Sequence, residues 1–222
     1  MRGLDWDWEL TVAILPRLLQ AFQVTVLATV LGVLLALALG LLIALVRRAA
    51  PRPVATATGA LVEFLRSTPL LIQIYFLFYV MPRFGLTLSP LVTGVAALGV
   101  HYSAYMSEVY RAGIDSVPRG QWDAATALNL GRLHAFRRVI LPQALPPVVP
   151  ALGNYVIAMF KDTPMLSTIT VLEVLNVART IGSETFRYVE PLTLVGVFFL
   201  VASLLAARGV RAVERRFTRV AA

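Results

Sequence analysis

The chain has 222 residues, of which 58% are hydrophobic, and its mean hydropathy is +0.76. One soluble core cannot bury that much apolar surface, so we expect the chain to lie in a lipid bilayer. The sequence contains no cysteine, which excludes disulfides, thiolate nucleophiles and Cys-ligated metal sites.

Five long uncharged runs predict five transmembrane helices. Each run is long enough, or nearly so, to cross about 30 Å of hydrocarbon at about 1.5 Å per helical residue. The second helix is expected to begin ahead of its run, near Val54. We therefore expect an all-α membrane protein whose transmembrane domain comprises residues 18–210. The runs cover residues 18–46, 67–82, 84–107, 139–160 and 191–207.

The segment before the first run, residues 1–17, is predicted to lie outside the cytoplasm. Its first nine positions carry three acidic residues against one arginine. This is the reverse of the basic start of a signal peptide, so we expect the segment to be retained. A surface helix is expected around residues 9–20, and Pro51 and Pro53 are expected to end the first transmembrane helix.

The net charge of +8 would also fit a nucleic-acid-binding protein, but the positions of the basic residues indicate otherwise. If the amino terminus is outside, thirteen of the 20 Lys and Arg residues fall on inner loops and the tail, six fall on outer segments, and Arg66 lies inside a span. By the positive-inside rule, the loop of residues 111–142 and the basic tail of residues 211–222 are cytoplasmic. We expect no nucleic-acid partner.

Two features are predicted for the second half of the chain. An outer segment of residues 161–190 includes residues 169–177, which are apolar enough to re-enter the bilayer as a helix. Four prolines predict a bend in the fourth transmembrane helix. They are Pro142, Pro146, Pro147 and Pro150.

A short polar helix is predicted between the third and fourth runs. Pro118 suits a first helical turn, Asp123 is expected near the positive end of the helix dipole, and Asn129 can take the left-handed conformation that ends a helix. The expected helix has roughly three turns, with Ala124 and Ala125 free to enter a groove of a partner.

From Asp123 to Pro142 this loop resembles the EAA loop in permease subunits of ATP-binding-cassette (ABC) importers. That pattern is Glu-Ala-Ala, three residues, Gly, nine residues, Ile, one residue and Leu-Pro. The register and length match, with Asp123 for Glu, Asn129 for Gly and Val139 for Ile. The alternative interpretation is an ordinary amphipathic connector between two membrane helices.

The resemblance implies a type I ABC importer permease in a bacterial inner membrane. Its partners would be an ABC ATPase dimer, an extracytoplasmic solute-binding protein and a second permease subunit, either a copy or a homologue. The chain has no G-x-x-x-x-G-K-[ST] loop, so we expect ATP hydrolysis on the partner, and no enzyme activity, cofactor or metal site here. An interfacial anchor is the alternative role for Trp122. The expected ATPase contact comprises Gly120, Trp122, Asp123, Ala124, Ala125 and Asn129, with Leu141 and Pro142 fixing the return of the loop.

Two further stretches are similar to the polar amino-acid branch of these permeases. Residues 64–71 resemble Phe-x-Arg-Gly-Thr-Pro-Leu-Leu, with Ser67 for Gly, and residues 161–165 resemble Lys-Asp-Thr-Ser-Leu with two changes. Residues 127–130 and 159–164 together are similar to permeases assigned to ectoine and hydroxyectoine uptake. The implied cargo is a polar amino acid or a related zwitterion.

Charged residues at membrane depth are costly unless they are paired or line a wet path. Glu63 can neutralise Arg66, and Lys161 can neutralise Asp162, so these four are candidates for the substrate pathway. Structural pairing that holds helices together is the equal alternative. Glu108 is interpreted as a helix-end ion pair with Arg111, with gating as the alternative. Hydrogen-bonded packing is expected for three further side chains, His101, Tyr102 and Asn154.

The competing hypothesis is a stand-alone channel or proton-coupled carrier for small polar solutes. Single-chain carriers are usually built from paired repeats, and the sequence shows neither a repeat nor a buried titratable relay. The hypothesis of a membrane enzyme is weaker still, because no paired carboxylates, His cluster or Ser-His-Asp constellation stands out in the sequence.

Overall fold

The computed structural model describes residues 6–220, with side chains as far as residue 215. Residues 1–5 of the predicted outer segment and residues 221–222 of the predicted tail lie outside this range. The described chain consists of helices joined by short turns and contains no strand, which confirms the all-α prediction. Its helices are α1 (Trp8–Ala49), α2 (Arg52–Ser67), α3 (Leu70–Tyr75), α4 (Pro90–Asp115), α5 (Arg119–Ala127), α6 (Arg132–Ala135), α7 (Leu141–Asp162), α8 (Val174–Thr185) and α9 (Val189–Val220).

Helix α1 is a single helix of 42 residues. The side chain of Asp7 caps its amino terminus by accepting a hydrogen bond of 2.9 Å from the Leu10 N–H. The prediction of a separate surface helix around residues 9–20 is wrong, because α1 continues through Pro16. A proline removes one backbone donor, and the helix on both sides of it remains intact. The predicted end is confirmed, since α1 stops at Ala49.

Prolines account for the irregular turns elsewhere. Pro69 follows Thr68, which is extended as residues before proline usually are, and here the chain bends by 104° between α2 and α3. Two π-helical turns, Phe76–Val80 and Phe136–Ile140, each end two residues before a proline. Since a proline cannot donate to the carbonyl four residues earlier, the turn ahead of it widens.

Two helices, α1 and residues 189–215 of α9, are long and apolar enough to span a membrane. Two bent helix pairs, residues 52–84 and residues 132–185, would raise the number to four if each is one span. The predicted count of five is not confirmed. The missing member is α4, whose inner faces carry buried polar side chains such as His101 and Ser103. Because α4 is surrounded by other helices, it does not need the apolar surface of a lipid-facing helix.

The predicted outer segment is helical for most of its length. Residues 163–169 form a 3₁₀ turn, Thr170 adopts a left-handed conformation with φ of 66°, and α8 follows. The chain bends by 50° between residues 132–169 and α8, which fits either a broken span or a re-entrant loop. Helix α7 is continuous through Pro146, Pro147 and Pro150, so the predicted bend there involves no break.

A stripe of small residues joins α1 to α4. The stripe recurs every fourth residue, which places its members on one face of the helix. A Cβ atom added to Gly40 would lie 3.0 Å from the Met106 Cβ and 3.1 Å from the Ser103 carbonyl oxygen. The two backbones therefore approach closely, as small residues allow in membrane helices. The buried members of this stripe are Ala28, Gly32, Ala36, Gly40 and Ala44.

We expect Gly40→Leu to destabilise the fold by about 1–3 kcal/mol, because the larger side chain must separate α1 from α4. Thermal unfolding in detergent would measure the loss. The matched control is Gly196→Leu in α9, where no atom lies within 4 Å of the added Cβ. Equal stability of the two variants would contradict the close packing.

Candidate functional site

The loop between α4 and α7 contains the short helix α5, which begins after Pro118 and ends at Ala127. The chain turns away because Asn129 adopts a left-handed conformation with φ of 52°, while the Leu130 N–H donates to the Ala125 carbonyl at 3.0 Å. The predicted roles of Pro118 and Asn129 are confirmed. Asp123 is the fifth residue of α5, beyond the first turn, so the expected contact with the positive end of the helix is wrong.

The two faces of α5 differ in exposure. Gly120, Asp123 and Ala124 are exposed and point away from the helical bundle. Ala125 is only 4% exposed, so the expectation that it is free to enter a partner's groove is wrong. Its methyl group faces the chain's own residues, and the exposed face of α5 is the one left for a partner.

Trp122 fixes α5 to the membrane helices. It packs against a small apolar cluster that joins the end of α4 to the start of α7, where Leu141 and Pro142 begin the helix. The Gln143 side chain also donates to the Gln121 side-chain oxygen at 3.2 Å. The loop is thus attached to both helices that it connects. The buried members of the cluster are Ile114, Val117, Ile140 and Ala144.

Ion pairs hold the carboxyl-terminal ends of α1 and α4 together. Glu108 accepts hydrogen bonds from Arg111, at 2.7 Å, and from Arg47 of α1. The predicted pair with Arg111 is confirmed, whereas the partner from α1 could not be read from the spacing along α4. Asp115, the last residue of α4, accepts from Arg111 at 3.0 Å and from Arg48 at 3.2 Å.

A second polar group lies between α2, α4 and α7. The Tyr102 hydroxyl donates to the Asp162 carboxylate at 2.6 Å. The Tyr105 hydroxyl donates to the Arg66 carbonyl at 3.3 Å, and the Arg66 guanidinium lies 5.4 Å from the centre of the Tyr105 ring. Tyr155 of α7 completes the group, with its ring 5.5 Å from that of Tyr105. Opposite charges from α2 and α7 are therefore joined through tyrosines of α4.

The two remaining predicted pathway residues, Glu63 and Lys161, differ in their relation to this group. Glu63 pairs with Arg66 at 3.7 Å, as predicted, and its side chain is 71% exposed. The expected Lys161–Asp162 pair is wrong. Among the described side chains, the Asp162 carboxylate accepts a hydrogen bond from Tyr102, and Lys161 is exposed and does not pair with Asp162. Adjacent helical residues point in different directions, which separates these two charges.

A sequence profile described as "Binding-protein-dependent transport system inner membrane component" matches residues 36–219. The chain belongs to this family. It is thus a membrane-embedded transport permease, and membership implies an ATPase and a solute-binding protein as partners.

Individual relatives and a solved structure agree with the family. A probable amino-acid ABC transporter permease protein of Sinorhizobium fredii is 44% identical over 217 residues, which cover 96% of this chain and 94% of that protein. The glutamate/aspartate import permease protein of Escherichia coli is 33% identical over 220 residues, covering 96% and 98%. A chain in the crystal structure of an amino acid ABC transporter with histidines has a TM-score of 0.90 at 33% identity, covering 96% of this permease and 100% of that chain. The permease therefore has the type I ABC permease fold and is of the amino-acid ABC transporter type.

Some contacts of the permease were missed from its sequence. The Gln73 side chain lies 3.2 Å from the His101 ring and donates to the Leu65 carbonyl at 2.8 Å, across the bend at Pro69. Hydrogen-bonded packing is confirmed for His101 and Tyr102, but the same expectation is wrong for Asn154, which is exposed. The sequence offered one signal for this contact, since Gln73 is a polar residue within an apolar run. Across the residues whose side chains are described, no group of three or more His, Asp or Glu is placed to hold a metal ion.

Proposed function

We propose that this permease is the transmembrane subunit of an ATP-driven importer for polar amino acids or related zwitterions. One observation carries the proposal: the α4–α7 loop presents a short helix whose outer face, with Gly120, Asp123 and Ala124, is free while its inner face is packed on the chain. A surface of this kind can receive force from a separate ATPase and pass it to both attached helices.

The proposed topology has five spans, with residues 1–17 outside and the basic tail of residues 211–222 in the cytoplasm. The distribution of arginines supports this orientation. Helices α1 and α9 continue across these boundaries, so residues 8–17 and 211–220 extend the first and last proposed spans. The exposed charges of α2 favour a second permease, a copy or a homologue, that completes the translocation path.

In the proposed mechanism, closure of the ATPase dimer moves α5, and α4 and α7 swing with it. The path then opens alternately toward the solute-binding protein and the cytoplasm. Trp122 and Ile140 anchor the loop during this movement, Asn129 sets the turn after α5, and Leu141 and Pro142 set the direction of its return to the membrane.

We expect replacement of both Asp123 and Ala124 by arginine to lower ATP-dependent uptake by more than about tenfold, because bulky cations obstruct a surface that must fit closely into a partner. Uptake and ATP hydrolysis would be measured on the reconstituted complex. Ala112→Arg, at an exposed position near the end of α4, is the matched control. Normal coupling in the double variant, or uptake by the isolated chain without an ATPase, would contradict the proposal and favour a stand-alone carrier.

The cargo class is supported by the amino-acid transporters among the relatives and by the paired charges in the chain. We expect competition experiments with the binding protein present to show inhibition of uptake by polar amino acids. The narrower assignment to ectoine and hydroxyectoine requires that these two compounds compete better than any amino acid. If neither class competes with the labelled cargo, the cargo proposal is wrong.

We further propose that Glu63, Arg66, Lys161 and Asp162 line the pathway. Arg66 and Asp162 carry opposite charges and meet the same tyrosine group, so together they suit the two charges of a zwitterion. Glu63 is exposed beside Arg66, and Lys161 is exposed in a cleft that Phe199 and Leu200 of α9 also line.

Accordingly, we expect Asp162→Asn to raise the cargo concentration for half-maximal uptake by about tenfold, which corresponds to the loss of one charge-assisted hydrogen bond. The amide keeps an acceptor for the Tyr102 hydroxyl, so the fold should be maintained. Glu184→Gln in α8 is the control, because that carboxylate pairs with Arg17 away from the tyrosine group. An unchanged half-maximal concentration would support structural pairing instead of a pathway role.

A further inference from the structure

One arginine at the cytoplasmic end of α1 contacts two other helices. Arg48, the penultimate residue of α1, donates to the Asp115 carboxylate at the end of α4 at 3.2 Å. Its guanidinium carbon also lies 5.0 Å from the centre of the Trp122 ring of α5, within the range of a cation–π contact. A single side chain therefore connects α1, α4 and α5.

Open space surrounds the contact between Arg48 and Trp122. Two clefts flank it, with volumes of 390 Å³ and 320 Å³, and both are lined by Arg48 and Trp122. Over the described chain, the backbone of α5 packs most closely against residues 132–140. Covalent connections join α5 to α4 and α7, whereas Arg48 provides a direct side-chain contact between α5 and α1.

The neighbours of Arg48 do not depend on it for their positions. Asp115 is also bonded to Arg111, and Trp122 packs on the apolar cluster at the base of the loop. The Arg48 side chain is 41% exposed, and exposed ion pairs contribute little to folding stability. Loss of Arg48 should thus leave the fold intact while removing the link between α5 and α1.

We infer that Arg48 is a positioning residue that makes α1 move with the coupling helix α5 during the transport cycle. This rests on the proposed function, in which an ATPase pushes on α5. Trp122 then has two roles: it seats α5 on α4 and α7, and it presents a ring face to Arg48. A push on α5 reaches the longest helix of the permease at its cytoplasmic end, beside the ion pairs that already tie it to α4.

The test compares Arg48→Gln with two controls in the reconstituted complex that contains ATPase and binding protein. Arg52→Gln removes an exposed arginine at the first residue of α2, and Arg47→Gln removes an α1–α4 ion pair that does not reach α5. The readout is the ratio of cargo transported to ATP hydrolysed. A purely structural role would lower both quantities together and leave this ratio unchanged.

We expect Arg48→Gln to lower the ratio by about two- to fivefold, the factor that corresponds to one exposed cation–π contact at 25 °C. Arg48→Lys keeps the charge and the pair with Asp115 but loses the planar stacking on the ring, so its ratio should be intermediate. Trp122→Ala should lower the ratio further, because it also removes the packing of α5 on α4 and α7. In the Trp122→Ala background, Arg48→Gln should cause no additional fall.

A wild-type ratio in Arg48→Gln, or a fall equal to that of Arg52→Gln, would overturn the inference. So would a parallel fall in uptake and hydrolysis. The Asp123 and Ala124 double variant separates this from failure of the proposed function. If that variant is uncoupled while Arg48→Gln is coupled, only the role of Arg48 is wrong. If both variants remain coupled, the loop itself is not the site of coupling.

Discussion

The close approach of α1 and α4 is the constraint on which the other contacts depend. Between membrane helices there is no hydrophobic driving force comparable to that in water, so association requires close van der Waals packing. The five small residues at every fourth position of α1 allow it, and Gly40 lies against the α4 backbone itself. Only with α4 held at this distance can Glu108 and Asp115 reach the arginines at the end of α1.

Helix α4 also joins the two regions to which function is assigned. Its carboxyl end carries Asp115 and leads directly into the loop with α5, while Tyr102 and Tyr105, in the middle, contact the charged groups of α2 and α7. Because α4 is one uninterrupted helix, a displacement at its carboxyl end would be transmitted to these tyrosines. The proposed coupling loop and the polar group are therefore connected by one structural element.

The features that were predictable from sequence are those encoded locally. The break at Pro51, the left-handed turn at Asn129 and the ion pair between Glu108 and Arg111 each depend on residues within a few positions of one another. The burial of Ala125 and the bond from Tyr102 to Asp162 depend on how separate helices pack, which spacing along one helix does not specify. The small-residue stripe of α1 is visible in the sequence as a four-residue period, but the sequence does not show which helix packs against it.

The strengths of these contacts suit a protein that must move. Contacts through the small-residue stripe are dry and closely packed, so α1 and α4 have one favourable arrangement and should move as a unit. The exposed ion pairs at the carboxyl ends of α1 and α4 are each worth only about 0–1 kcal/mol, so they can be exchanged within a cycle at little cost. Movement is therefore easiest where α5 and the π-helical turn Phe136–Ile140 join this unit to α7, since that turn already departs from regular helical bonding. Force applied to α5 would be absorbed there or passed on to the unit of α1 and α4, depending on how firmly α5 is attached to that unit.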